Sequence, residues 1–151
     1  MEYRYTLTSA KKMAEQGELE EWIHGYLLSE EGHNVPFSDG LKLFKRYYVG
    51  PVNAPLSLFK RCCGPEENMK YRVHPVVFEN KVNALMQAYS DGADLPPLII
   101  NYTGSTFELN DGNHRFEALT RLGVDKFSVI FWITEQEHLQ SFKEKYPEFT
   151  A

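Results

Sequence analysis

Residues 107–123 read FELNDGNHRFEALTRLG, a pattern that predicts a short strand turning sharply into a helix. Phe107 and Leu109 alternate with a polar residue, as in a half-buried strand. Residues 110–112 supply turn and N-cap chemistry, and Gly123 suits the position just after a helix. The helix between them is about three turns long.

Arg115 lies in the middle of the apolar face of this helix, among Ala118, Leu119 and Leu122. A buried guanidinium keeps its charge, so it needs a carboxylate, carbonyl groups or a bound anion as its partner. Two alternatives follow. In one, Arg115 and the free N–H groups of the first helical turn bind a phosphate. In the other, Asp111 caps the helix and pairs with Arg115 across that turn.

The run Asp111-Gly112-Asn113-His114-Arg115, followed by Ala118, resembles the ParB/sulfiredoxin superfamily. A strand at 95–100 and a hairpin precede the run in the family's order, and the resemblance covers residues 74–134. It implies an α+β fold with a small mixed sheet of the ParB/sulfiredoxin type. In that superfamily the segment aligned with Gly112 to Arg115 binds nucleotide phosphates, those of ATP in sulfiredoxins and ParB-like serine kinases and those of CTP in ParB.

The chain departs from the superfamily's pattern in ways that narrow its function. Sulfiredoxins have their catalytic cysteine where this chain has Asn113, so sulfinic acid reduction is not expected. ParB proteins carry a helix-turn-helix region after this domain, whereas residues 135–147 predict one helix, so partition-type DNA recognition is not expected. The acidic base of the serine kinases has no clear counterpart.

Two classes of function remain open. The first is a small nucleotide-dependent phosphotransferase or nucleotide hydrolase that uses ATP or CTP with Mg²⁺. The resemblance implies that Gly112, Asn113 and His114 present backbone N–H groups to the phosphates. Arg115 then neutralises transition-state charge, and Asp111 or His114 positions a proton or the Mg²⁺. On this hypothesis Arg115→Ala abolishes nucleotide binding with little loss of fold.

The second class is a nucleotide-gated or nucleic-acid-binding regulatory module without turnover. The overall charge of −5 argues against nucleic-acid binding by the whole surface. Residues 40–72, however, carry seven basic and two acidic side chains, a local charge of +5. This region either contacts a nucleic-acid or protein partner or is a solvated face. An enzyme predicts a further acidic residue converging on the Arg115 turn in a concave pocket, whereas a binding module predicts a continuous basic surface or a two-fold interface.

Residues 1–65 are predicted to form a mostly helical N-terminal portion. Apolar residues at helical spacing predict one helix over 18–29, a second through Leu41, Phe44 and Tyr48, and a shorter one before Gly17. Trp22 and the tyrosines near it are expected to be core anchors. Prolines and glycines predict an irregular connection from residue 50 to 65.

The remaining residues predict a core over 74–134 and a C-terminal helix over 135–147, which complete a single α+β domain. The elements expected in order are a helix from 76 to 89, a strand from 95 to 102, a loop at 103–105, a strand from 106 to 109, a central strand from 127 to 133, and a capping box at 134–137. The strand, helix and strand around Gly112 resemble a βαβ return, which would place the helix N-terminus at the end of a sheet.

No stretch reaches the ~18 apolar residues of a membrane span, and Met1 to Tyr5 lack the apolar run of a signal peptide. We therefore expect a cytoplasmic protein with no membrane partner. The two cysteines, Cys62 and Cys63, are adjacent and are interpreted as reduced thiols near a turn. The five histidines show no spacing typical of metal ligands, so no metal site is predicted.

Overall fold

A computed structural model describes residues 4–150, so Met1, Glu2 and Tyr3 of the N-terminal stretch lie outside the described residues. The helices are α1 (Leu7–Glu15), α2 (Leu19–Leu28), α3 (Val35–Leu41), α4 (Pro75–Ser90), α5 (Asn113–Arg121) and α6 (Gln136–Lys145). The strands are β1 (Tyr47–Pro55), β2 (Cys63–Gly64), β3 (Tyr71–Arg72), β4 (Leu98–Tyr102), β5 (Phe107–Asp111) and β6 (Lys126–Ile133). Short 3-10 helices lie at Leu56–Leu58 and Pro147–Phe149.

Four strands form one mixed sheet in the order β1-β6-β4-β5. β6 pairs antiparallel with β1 and parallel with β4, while β4 and β5 form an antiparallel hairpin. The predicted central strand is therefore confirmed, and its continuous apolar run is buried because both faces of the sheet are covered. β2 and β3 pair separately, in parallel.

Alternation along β4 assigns its side chains to two hydrophobic cores. Ile99 faces the core that contains α1 and α2, together with Trp132 of β6. Leu98 and Ile100 face the opposite core, which contains residues of α5 and α6. The N-terminal helices therefore lie on one face of the sheet and the C-terminal helices on the other. The predicted α+β class, with a helical N-terminal portion on a small mixed sheet, is confirmed.

The predicted helix through Phe44 and Tyr48 is wrong. α3 ends at Leu41, and Tyr47–Pro55 forms β1, so most of the predicted connection over 50–65 is a strand and a 3-10 helix. Tyr47, Tyr48 and Val49 pair with Ile133, Trp132 and Phe131 of β6. β6 lies inside the sheet, so it pairs with a neighbouring strand along each of its two edges, and β1 is one of these neighbours. This long-range pairing outweighs the helical spacing of the apolar residues in β1.

Three smaller predictions also differ from the structure. β4 starts at Leu98, because Pro96 and Pro97 cannot donate ladder hydrogen bonds. α6 begins without a side-chain cap, and the Thr134 hydroxyl accepts a hydrogen bond from Arg46 in place of closing a capping box. β5 and β6 are not neighbours, so the strands around α5 are not a parallel βαβ pair. The helices predicted before Gly17, over 18–29 and over 76–89 are confirmed.

Candidate functional site

The turn from β5 into α5 depends on a glycine. Gly112 is the N-cap residue and has a φ of 103°, in the left-handed region. A Cβ on Gly112 would lie 2.6 Å from Leu98 Cδ2 and 2.9 Å from Arg115 Nη2. Asp111 is the last residue of β5, and no side chain caps the helix, so the predicted Asp111 cap is wrong. The first N–H groups of α5 are thus left without a side-chain acceptor at the positive end of the helix dipole.

Arg115 is 8% exposed and is held by acceptors from three parts of the chain. Its guanidinium donates from Nη1 to the Tyr26 hydroxyl (2.8 Å), and from Nη2 to the Pro97 carbonyl (3.0 Å) and to Asp111 Oδ2 (3.3 Å). The pairing alternative is therefore present: Asp111 and Arg115 form an ion pair across the first turn. Within residues 4–150, only Nε of this side chain is buried without a partner.

His114 packs its ring against Phe78, with the ring centroids 5.1 Å apart. Burial, and secondarily the nearby positive charges of Lys81 and Arg115, lower the pKa of His114 to about 4. The imidazole is therefore neutral at pH 7. Its buried Nε2 has no hydrogen-bond partner among the described residues.

The side chain of Asn113 joins α5 to the segment of residues 61–73, which contains β2 and β3. Its Oδ1 accepts hydrogen bonds from the backbone N–H groups of Cys62 (2.8 Å) and Cys63 (3.2 Å), and its Nδ2 donates to the Leu109 carbonyl (3.2 Å). The Cys62 thiol donates to that same carbonyl at 2.9 Å. Both cysteines are free thiols, as interpreted from the sequence. Burial raises the pKa of each thiol.

The uncapped N-terminus of α5 opens into a cavity of about 980 Å³. Four parts of the chain form its walls: the end of α2 and the connection to α3, the 61–73 segment, one side of α4, and the β5–α5 turn. The charged residues in the walls are Glu30, Glu31, Lys81, Glu108, Asp111 and Arg115. Every site residue predicted from the sequence, 111 to 115, therefore lines this one cavity.

The charges in the cavity walls are only partly compensated. Asp111 is paired with Arg115, and Glu108 with Lys70. None of the ion pairs found within residues 4–150 includes Lys81, an exposed residue of the α4 wall. The described residues also contain no group of three or more His, Cys, Asp or Glu side chains arranged to hold a metal ion.

Four of the seven basic side chains in the region of residues 40–72 have hydrogen-bond partners among the described residues. Arg61 is bound by Glu66 and Glu117, and Lys70 is paired with Glu108. Arg46 and Arg72 donate to backbone carbonyls. Only Arg61 and Lys70 are paired with carboxylates, and Lys42, Lys45 and Lys60 form no ion pair within residues 4–150.

Sequence reasoning missed Tyr26, Lys81 and Tyr71 as residues of this cavity. They come from α2, α4 and β3, and only the tertiary fold brings them to the α5 turn. A partial signal exists for Lys81: it lies four residues from Val77 and from Leu85, so it shares one side of α4 with them.

No protein-family model matches this chain, and the search of curated proteins found no match. Three solved structures are similar to parts of it. A Pnob8-like ParB N-domain has 15% identity and a TM-score of 0.42, over 68% of this chain and 37% of that chain. The C-terminally truncated chromosome-partitioning protein ParB from Caulobacter crescentus, complexed with CTP-gamma-S, has 19% identity and a TM-score of 0.41, over 66% and 52%. Sulfiredoxin from Arabidopsis thaliana has 21% identity and a TM-score of 0.38, over 66% and 96%.

All three similarities concern the fold alone. The chain spans about half or less of the length of the two ParB chains. In the part of the chain that the structure describes, no helix is long and apolar enough to cross a membrane.

Proposed function

We propose that this protein binds a nucleotide, with the phosphates at the N-terminus of α5. The observation that carries the proposal is the uncapped first turn of α5, which opens into a cavity that Lys81 also lines. Backbone N–H groups at a helix N-terminus and a lysine ammonium are a common combination for binding phosphate oxygens.

In the phosphate-binding hypothesis from the sequence, Arg115 supplies the positive charge that meets the phosphates. The contacts of Arg115 in the structure favour a different cation for that role. Arg115 is already neutralised by Asp111 and satisfied by Tyr26 and Pro97. Lys81 lacks such a partner within residues 4–150, so we assign the main charge contact with the phosphates to Lys81. Arg115 then acts by holding the turn in place.

The charge distribution favours a ligand with an anionic end and an uncharged polar end. Lys81 and the α5 N-terminus lie on two walls, while the carboxylates of Glu30 and Glu31 lie on the wall between α2 and α3. Carboxylates repel phosphate but accept hydrogen bonds from hydroxyl and amino groups. A nucleotide has its phosphates at one end and such donors, on ribose and base, at the other.

A nucleotide fits these observations better than a nucleic-acid backbone does. The pocket is concave and contains acidic residues beyond Asp111, which is the arrangement expected of a nucleotide-dependent enzyme. Four of the seven basic side chains over 40–72, in contrast, are engaged with glutamates or carbonyl groups. We limit the proposal to nucleotide binding and do not propose catalysis, because Asp111 is engaged by Arg115 and the Nε2 of His114 is buried.

Isothermal titration calorimetry with ATP, CTP, GTP and ADP, each with and without Mg²⁺, tests the proposal. We expect at least one nucleotide to bind, and Lys81→Ala to weaken its binding about tenfold through loss of a charge-assisted hydrogen bond. Lys143→Ala, which removes an exposed lysine on α6, is the matched control and leaves the affinity unchanged. Absence of binding by all four nucleotides would overturn the proposal. Phosphate release in the same samples distinguishes turnover from binding alone.

A further inference from the structure

The cavity wall contains an exposed aromatic ring that the phosphate site does not use. Tyr71, on β3, is 57% exposed. The other two aromatic side chains in the wall are engaged elsewhere, since Tyr26 is buried and stacks on Trp22, and Phe37 packs on Trp132. An exposed tyrosine in a ligand cavity offers an apolar face and a polar edge at a small cost in side-chain entropy.

The backbone of Tyr71 is fixed relative to the N-terminus of α5. Its N–H donates to the Cys62 carbonyl at 2.9 Å, and the N–H of Cys62 donates to Asn113 Oδ1 at 2.8 Å. Asn113 is the first residue of α5, so two hydrogen bonds connect the aromatic residue to the phosphate-binding turn. The backbone of Tyr71 and the turn are therefore held in adjoining walls of one cavity.

The surroundings of the ring are a neighbouring cation and the open volume of the cavity. Lys70 Nζ lies 5.5 Å from the centroid of the Tyr71 ring and also pairs with Glu108. The cavity, at about 980 Å³, is at the upper end of the range for small-molecule sites and exceeds the volume of a triphosphate group alone.

We infer that Tyr71 is the stacking platform for the nucleobase, so that the ligand class is a nucleoside polyphosphate and not an inorganic phosphate or a sugar phosphate. This inference rests on the proposed phosphate site at α5. Stacking on an aromatic ring tolerates any base, because every base has a π face. Tyr71 therefore contributes affinity for the nucleoside part and does not select which base is bound.

The experiment compares nucleotides with inorganic tripolyphosphate, which carries the phosphates but has no nucleoside. The affinities of ATP, CTP and tripolyphosphate are measured by calorimetry for the wild type, Tyr71→Ala and Tyr71→Phe. Tyr71→Ala is expected to weaken nucleotide binding about tenfold and to leave tripolyphosphate binding unchanged. Tyr71→Phe keeps the ring and retains the wild-type affinity. Phe44→Ala removes a similarly exposed aromatic ring outside the cavity and serves as the control.

The outcomes separate the two proposals. If tripolyphosphate binds and Tyr71→Ala binds nucleotides as tightly as the wild type, the stacking role is overturned while the phosphate site stands. The stacking role is also overturned, and the phosphate site also stands, if nucleotides bind the wild type no more tightly than tripolyphosphate does. If neither nucleotides nor tripolyphosphate bind, the proposed function fails, and the stacking role fails with it. Because Tyr71 is exposed, thermal unfolding of its variants should match that of the wild type.

Discussion

The guanidinium of Arg115 donates a hydrogen bond to the hydroxyl of Tyr26 at 2.8 Å, across 89 positions of the chain. Tyr26 belongs to α2 on one face of the sheet, and Arg115 belongs to the first turn of α5. Burial raises the pKa of Tyr26, so its hydroxyl stays protonated and accepts this bond. The contact ties the N-terminal helical portion to the turn where we place the phosphates.

Arg115→Ala should therefore destabilise the protein. The sequence alone predicts instead that this substitution costs little stability. The substitution leaves Asp111 and the Pro97 carbonyl without their donor in a buried setting. We expect the free energy of unfolding to fall by about 3 kcal/mol. Urea unfolding measures the loss, with Lys143→Ala as a surface control that changes stability by less than about 0.5 kcal/mol. A stability equal to that of the control would show that the Arg115 contacts contribute nothing net.

Gly112→Ala should cost more stability than Gly123→Ala. Both glycines have a positive φ, 103° and 76°, so alanine is strained at either position. A Cβ at residue 123 meets no atom within 4 Å, whereas at residue 112 it comes within 2.6 Å of Leu98 and 2.9 Å of Arg115. We expect a loss of about 1 kcal/mol at residue 123 and about 2–4 kcal/mol at residue 112. Thermal unfolding of the two variants side by side gives the comparison, and equal losses would contradict it.

Asn113→Ala should increase the chemical reactivity of Cys62 and Cys63. The side chain of Asn113 holds the backbone of both cysteines, and burial raises the pKa of both thiols. Loosening the segment exposes the thiols to water, and this relief of burial lowers their pKa by more than loss of the Asn113 hydrogen bond raises that of Cys62, so the thiolate fraction at neutral pH increases. Alkylation by iodoacetamide at pH 7, followed by mass spectrometry, should be several-fold faster than in the wild type. The exposed Asn83→Ala is the control, and equal rates in all three proteins would refute the anchoring role.

His114 should make the protein less stable in mild acid. The ordinary pKa of a histidine is 6.5, and that of His114 is about 4 in the folded protein, chiefly because of burial. Between those two pH values the unfolded chain binds a proton that the folded chain does not, so the free energy of unfolding decreases as the pH falls. Since the side chain is partly exposed, we expect a loss of about 1–2 kcal/mol between pH 7 and pH 5.

The contribution of His114 is isolated by comparing the wild type with His114→Gln in urea at both pH values. The variant lacks the titrating group, and other groups titrate alike in the two proteins. The stability of the wild type relative to the variant should therefore decrease at pH 5. A difference that stays constant between pH 7 and pH 5 would show that His114 is not shielded from protonation.

The parts of the fold that depend on local pattern could be predicted from the sequence. α2, α4 and β6 have strong helical or continuous apolar patterns, and the structure confirms each. β1 could not be predicted, because its identity as a strand depends on pairing with β6 across some 80 residues. Locally, Leu41, Phe44 and Tyr48 have the spacing of a helix, and local spacing carries no information about a distant partner.

The same distinction holds for the candidate site. The turn residues 111 to 115 are adjacent in sequence, so their pattern indicated a helix N-terminus directly. The role of Asp111 was only half predicted: it pairs with Arg115 but does not cap α5. The spacing of Lys81 places it on one side of α4 but indicates no ligand, and the local sequence around Tyr71 gives no signal. Only the packing of α4 and of the 61–73 segment on α5 identifies both as residues of the cavity.

The position of β6 between β1 and β4 also bears on the order in which the chain acquires its structure. During synthesis on a ribosome, the β4–β5 hairpin is the only pairing of the main sheet that can form before residues 126–133 emerge. Until then the backbone hydrogen-bonding groups of β1 have no strand to pair with, and the helices on either side have no complete sheet to pack against. Insertion of one late strand between two early ones therefore completes the sheet, and with it the two layers that frame the cavity.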